Sequence, residues 1–427
     1  MRVFILPALG AFALSLFFFA PAAMAESEFA MSGQIRLRPE ARENADFDGA
    51  KDDKQAFIGA RARLTVDAKV SDGVSAKLTI QDVRQWGQES NVNTAMEGAT
   101  GQALDVFEGY FQVNQIAGSP LSVKAGRQTL VYGDQRLLGH LEWKDEARTH
   151  DALKLMAALG LVKLDLFISK EAESGKPSDE KNDDDLLGAY AVASLTEGLT
   201  LDVYAIQWKT ANKDADGAAV KGKNIMTYGA RAAAKFGPVD ATGEAVFQSG
   251  DWASGVTHSA SAFAVKAGFK PGVLNSRIGV EYDYGSGDDN LSDKDHKTFV
   301  FPFHTNHMHY GYMDYFSWGN MSDIRVSLAA DAAEGLTLAA DYHIFSLADG
   351  HDNWYNVVGT GVFKAAVEGK NATDAGKEID VTAIYKALPN LTLTAGYSLF
   401  QPGEAAKERS SGSDSSTWSY LMADFKF

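Results

Sequence analysis

The chain has 427 residues, no cysteine, 45% hydrophobic residues and a formal net charge of -16, from 40 Lys and Arg against 56 Asp and Glu. The lack of cysteine excludes disulfides and thiolate metal sites. So acidic a balance argues against nucleic acid as a partner, and beyond residue 25 no run of about 20 apolar residues exists to form a spanning helix.

At the start, Arg2 precedes an apolar run from Val3 to Ala20, then Pro21 and the small-residue site Ala23-Met24-Ala25. This is the layout of a secretory signal peptide over residues 1–25, which leaves one domain over 26–427. Loss of Arg2 takes the formal charge from -16 to -17.

From there the chain alternates apolar and polar residues in stretches of roughly ten. Gln34, Arg36 and Arg38 stand against Ile35 and Leu37; Arg61, Arg63, Thr65 and Asp67 against Ala62, Leu64 and Val66; Lys163 and Asp165 against Leu164 and Leu166. Arg277, Glu281 and Asp283 against Ile278, Val280 and Tyr282, and Glu378 and Asp380 against Ile379 and Val381, continue the pattern. Turns rich in Gly, Pro and Asn, such as 195–199, 236–239, 270–273, 333–336 and 388–391, alternate with long hydrophilic segments at 43–55, 85–104, 131–147, 171–185, 209–225, 249–257, 286–320, 347–376 and 402–415. Nine long and eight short connections predict about 18 strands with both ends on the short-turn side.

The period of two alone does not say which face is buried. In a soluble sandwich the apolar face turns inward; in a membrane barrel it faces lipid. Eighteen strands in one undivided chain, with no linker or change of composition, favour a closed transmembrane antiparallel β-barrel with long extracellular loops and short periplasmic turns. Strand-end aromatics, among them Trp86, Tyr110, Tyr132, Tyr204, Trp208, Tyr228, Tyr282, Tyr284, Tyr385, Tyr397 and Trp418, are expected to form the interfacial girdles. The last strand alternates from Tyr420 to the terminal Phe427, like the closing strand of bacterial outer-membrane barrels, so the barrel assembly machinery is an expected partner.

Two stretches resemble the alginate export family of outer-membrane porins. One runs from Gly126-Arg127-Gln128-Thr129-Leu130 through Gly133-Asp134-Gln135-Arg136 and Gly139 to Trp143 and Ala147-Arg148-Thr149-His150-Asp151; the other is Phe303-His304-Thr305-Asn306-His307-Met308-His309-Tyr310-Gly311-Tyr312-Met313-Asp314. The resemblance implies an eighteen-stranded barrel whose polar lumen is narrowed by inserted loops, and for the family's named members the passage of an anionic uronate polymer.

Within that frame the expected pathway residues are Arg36, Arg38, Arg61, Arg63, Lys154, Arg231 and Arg277 on the wall, and Arg127, Arg136 and Arg148 around an inward-folding loop. Guanidinium groups suit carboxylates because they bind them with two parallel hydrogen bonds. The competing expectation is that Asp134, Glu142, Asp145, Glu146 and Asp151 neutralise the loop arginines and stiffen the loop. In the second stretch Asn306, His307, Tyr310, Gly311 and Asp314 are expected to build a packed loop; His304, His307 and His309 match no specific metal-ligand spacing. Strand parity also places Asp240, Glu244, Glu281, Asp283, Asp323, Asp341, Glu378 and Asp380 inward, which predicts a basic wall facing an acidic one.

The acidic segments 178–185 and 285–290 carry Asp and Asn at spacings open to Ca²⁺ but lack the full twelve-residue loop; no other cofactor is expected. His343 near Asp341 has no nucleophile motif beside it, so no enzyme is expected. The reading is an outer-membrane channel passing polar, anionic solutes, with outer-membrane lipid and lipopolysaccharide around it. A general small-solute porin and a structural or adhesive barrel are the alternatives.

Overall fold

A computed structural model describes residues 27–87, 104–172, 183–213, 219–220, 222–410 and 412–427. The expected signal peptide, residues 1–25, lies outside the described residues.

Eighteen antiparallel strands close into a barrel. They are β1 Glu28–Glu43, β2 Gln55–Ser71, β3 Val74–Gln85, β4 Asp105–Val113, β5 Leu121–Gln128, β6 His150–Leu159, β7 Val162–Ala172, β8 Asp184–Thr196, β9 Leu199–Lys209, β10 Asn224–Phe236, β11 Val239–Ala253, β12 Val256–Phe269, β13 Arg277–Gly285, β14 Met321–Ala333, β15 Leu336–Ser346, β16 Asp374–Leu388, β17 Leu391–Pro402 and β18 Ser416–Lys426. Each pairs with its neighbour in sequence, and β1 pairs with β18 from Gln34 opposite Lys426 to Glu43 opposite Thr417. The seam ends where Gly33 and Phe427 exchange backbone hydrogen bonds of 2.7 and 3.0 Å. Closure leaves no unpaired edge, which lipid requires.

The faces sort as the period of two demands. Ile168, Val265 and Val280 are 54%, 57% and 55% exposed on the outside, while Arg36, Arg61, Asp202, Glu281, Asp323 and Glu378 on the opposite parity are buried inside. A soluble protein could not leave that apolar belt bare; here lipid covers it. The packed core lies within the barrel, where Leu130, Leu137, Leu138, Phe299, Tyr310, Met313, Phe316 and Trp318 of two inserted loops are buried.

Some expectations need correction. The segment 249–257 is not a long loop: β11 and β12 run almost to each other and are joined at Ser254-Gly255, where Gly255 adopts φ 76°. Of the aromatics, Trp86, Tyr228, Tyr282, Tyr385 and Tyr397 are exposed on the outside, but Tyr204, Trp208 and Trp418 are buried within. Tyr132 stacks on Tyr190 at 4.5 Å, and Tyr190 on Tyr204 at 5.3 Å, as part of the plug's packing. The expected basic positions Arg36, Arg38, Arg61, Arg63, Lys154 and Arg231 fall on β1, β2, β6 and β10 and the expected acidic ones on β11 and β13–β16, with the densest parts a basic arc on β1–β3 and an acidic arc on β13–β16. β1–β3 and β13–β16 are separated on one side by β17 and β18 alone.

Candidate functional site

The loop between β5 and β6, residues 129–149, leaves the wall and crosses the lumen. Its first half is held on the acidic arc by Arg136, whose guanidinium binds Glu281 and lies 3.0 Å from Asp283, both on β13, and donates to the Tyr310 hydroxyl at 2.8 Å. Burial disfavours that charge, but Asp283, Tyr310 and Glu281 outweigh it and keep Arg136 firmly protonated. Asp134 nearby takes Arg231 at 2.5 Å and also binds Lys266. Burial raises its carboxyl, and these two cations pull it below the usual carboxylate range.

The second half of the loop lies on the basic arc. Glu142 binds Arg61 and Arg63, each at 2.8 Å. Asp145 binds Arg36 and stands 3.9 Å from Arg38. The backbone joins in: Arg36 donates to the carbonyls of Glu142 at 2.7 Å and Trp143 at 3.0 Å, and Arg38 to that of Trp143 at 2.6 Å. Burial raises the Glu142 carboxyl, but Arg61 and Arg63 together hold it below its ordinary value. One loop therefore offers an arginine to the acidic arc and carboxylates to the basic one. Carboxylates do neutralise arginines, as the competing expectation held, but the partners of Glu142 and Asp145 are wall arginines.

The loop between β13 and β14 packs on the first. Arg38, Trp143, His307 and Tyr312 form a four-layer stack, with spacings of 4.2, 4.1 and 4.6 Å. His307 lies 3.2 Å from the Asp314 carboxylate, and Asn306 donates to the carbonyls of Phe316 and Val357. Backbone N–H groups of Tyr312 and Met313 donate to Asp380 and Glu378 at 3.3 and 2.8 Å. Gly311 sits at φ 79°, and a Cβ there would stand 2.7 Å from the Glu378 carboxylate, so a larger residue would be strained and would push Glu378 aside. Buried His304 is shifted down to about 4, chiefly by desolvation and then by Arg148, so it is neutral at pH 7. Among the described residues no cluster of three or more His, Asp or Glu is arranged to hold a metal ion. Asp288 in the 285–290 segment accepts from the backbone of Asn290 and Lys297; most of the 178–185 segment lies outside the described residues.

The remaining expected residues divide. Lys154 is 3.1 Å from Asp165, Arg231 reaches Asp202 at 3.2 Å, and Arg277 pairs with Asp240 at 2.6 Å, all on the inward parity. Arg148 is half-buried in the plug, donates to the carbonyl of His304 at 2.8 Å and is lowered to about 10 by desolvation. Arg127 departs from the expectation. It shares the outward parity of Leu121 and of its paired neighbour Asp151, which it binds at 2.8 and 3.0 Å on the outer face. His343 lies 2.7 Å from Asp323 and 3.8 Å from Asp380, and the Ser398 hydroxyl donates to Asp380.

Two cavities lie along the basic arc beside the plug. On the periplasmic side a cavity of about 590 Å³ is lined by Gln34, Arg36, Arg61, Arg63, His140, Glu142, Asp424 and Lys426. On the extracellular side a second, of about 310 Å³, is lined by Arg38, Arg42, Arg84, Trp143, Asp145 and Asp314. Segment 140–146 borders both. Three guanidinium N–H groups at the first, Arg36 Nε, Arg61 Nε and Arg63 Nη2, are buried with no hydrogen-bond partner in the protein.

The family model for alginate export matches residues 27–419. The chain belongs to the alginate export family. Among solved structures this member is similar to Acinetobacter baumannii OccAB1, with 12% identity, TM-score 0.63 and 95% and 99% of the two chains covered. It is also similar to Pseudomonas aeruginosa OccK11 (OpdR), with 12% identity, TM-score 0.61 and 93% and 96% covered, and to P. aeruginosa OccK2 (OpdF), solved in complex with glucuronate, with 13% identity, TM-score 0.60 and 94% and 98% covered. These likenesses show the fold. No curated protein matches the chain in sequence. Barrel and family together make it an outer-membrane channel.

Proposed function

We propose that this alginate export family member passes small carboxylate-bearing solutes, uronic acids foremost, by diffusion along the arginine arc of β1 and β2. The observation that carries the reading is the set of three wall arginines, Arg36, Arg61 and Arg63, that together line a cavity of about 590 Å³. A carboxylate is the acceptor that the charge and planar fork of a guanidinium favour. Glu142 and Asp145 already sit on this arc as tethered carboxylates and display the coordination that a solute would take over. Both cavities are of small-molecule size, which suits single sugar acids or short oligomers threading past segment 140–146. The glucuronate complex of OccK2 and the alginate of the family name are both carboxylate sugars, though the arginines, not the likeness, carry the argument.

Uptake into proteoliposomes tests it. Labelled glucuronate should enter about tenfold faster than glucose, the ratio that ~1.4 kcal/mol of preferential binding produces. Equal rates would establish a general small-solute porin instead.

A further inference from the structure

The outer face carries a row of charge at the extracellular margin of the apolar belt. Arg127 on β5 lies opposite Asp151 on β6, Asp151 opposite Lys170 on β7, Lys170 opposite Asp185 on β8, and Asp185 opposite Lys209 on β9. Five consecutive strands thus present plus, minus, plus, minus, plus as one cross-strand row near their extracellular ends. All five side chains share the parity of lipid-facing neighbours: Leu153 below Asp151, Ile168 below Lys170, Leu187 below Asp185. Arg127 binds Asp151 with two hydrogen bonds and reaches Asp105 at 3.4 Å, and Lys170 lies 2.8 Å from Asp185. Followed onward in the same register, the row continues as Asn224 on β10, Asp251 on β11 and Thr257 on β12.

Charges on the lipid-facing side are costly within hydrocarbon and mark a level where polar headgroups begin. These strands end there in the long connections, so the headgroups at this level belong to the outer leaflet. Lys170 and Lys209 stand exposed in the row with their ammonium groups at that boundary. We infer that this row is a docking strip for the phosphorylated glycolipid of the outer leaflet, with Lys170, Lys209 and Arg127 meeting lipid A phosphates and Asp151 and Asp185 setting their spacing. Phosphate carries more charge than a single carboxylate and several acceptor oxygens, so it can draw a lysine from its aspartate without breaking the row.

Native mass spectrometry of the purified barrel tests it, with diphosphoryl lipid A, dephosphorylated lipid A and phosphatidylglycerol as separate probes. The wild type should retain diphosphoryl lipid A about tenfold more than either other lipid. Lys170→Ser with Lys209→Ser, which leaves the Arg127–Asp151 pair in place, should bring retention down to the dephosphorylated level. Asp151→Asn with Asp185→Asn should raise it, a direction that a purely structural salt-bridge row does not give. Equal retention of the dephosphorylated lipid or of phosphatidylglycerol, or lysine and aspartate variants that both bind as the wild type does, would overturn the assignment.

Discussion

Replacing Arg136 with alanine is expected to release the plug. The change leaves Glu281 and Asp283 without their common cation and Tyr310 without its donor, all in a water-poor interior. Removing one partner of such a buried cluster costs on the order of 3–5 kcal/mol, and here most of that loss falls on the loop, because β13 stays hydrogen-bonded to β12 and β14. The barrel should therefore still form. Single-channel recordings should show a larger and noisier open state, and the folded band on gels should convert at lower temperature. Arg136→Lys should recover part of the effect, since an ammonium keeps the charge but not the two-pronged geometry. Wild-type conductance in the alanine variant would mean that the plug is held elsewhere.

The second large effect concerns the carboxylates on the arginine arc. Glu142→Gln with Asp145→Asn keeps the shape of the segment and removes the two tethered anions from Arg36, Arg61 and Arg63. An anionic solute then no longer competes with the protein's own carboxylates. The apparent affinity for glucuronate, measured as block of ionic current, should rise about tenfold, equivalent to ~1.4 kcal/mol, and anion preference should increase. A fall in glucuronate affinity would show that these carboxylates organise the arginines for the solute and do not stand in its place.

Much of the barrel was readable because its determinants are local. Lipid on one side and lumen on the other impose a period of two within each strand, so Arg36, Arg61 and Arg63 could be assigned inward from their immediate neighbours. The outward aspect of Arg127 was readable on the same rule, since Leu121, Val123 and Ala125 precede it at alternate positions; its closeness to the loop drew it to the lumen instead. The partners inside the lumen were not readable. Arg136 and Glu281, or Arg36 and Asp145, are more than a hundred residues apart and meet only because two loops fold across a closed barrel. Nothing local separates a loop that turns inward from one that stays outside, and the inward girdle members Tyr204, Trp208 and Trp418 were misplaced because an aromatic at a strand end packs equally well on a plug or against headgroups.

The central claim, that anions follow the arc of Arg36, Arg61 and Arg63, is tested most directly by reversal potentials in planar bilayers under a salt gradient, with the wild type beside Arg61→Gln/Arg63→Gln. The wild type should prefer anions and the double variant should shift toward cations. The difference should shrink as salt rises and screening shortens below about 10 Å. A cation-selective wild type whose reversal potential the double variant leaves unchanged would contradict the account.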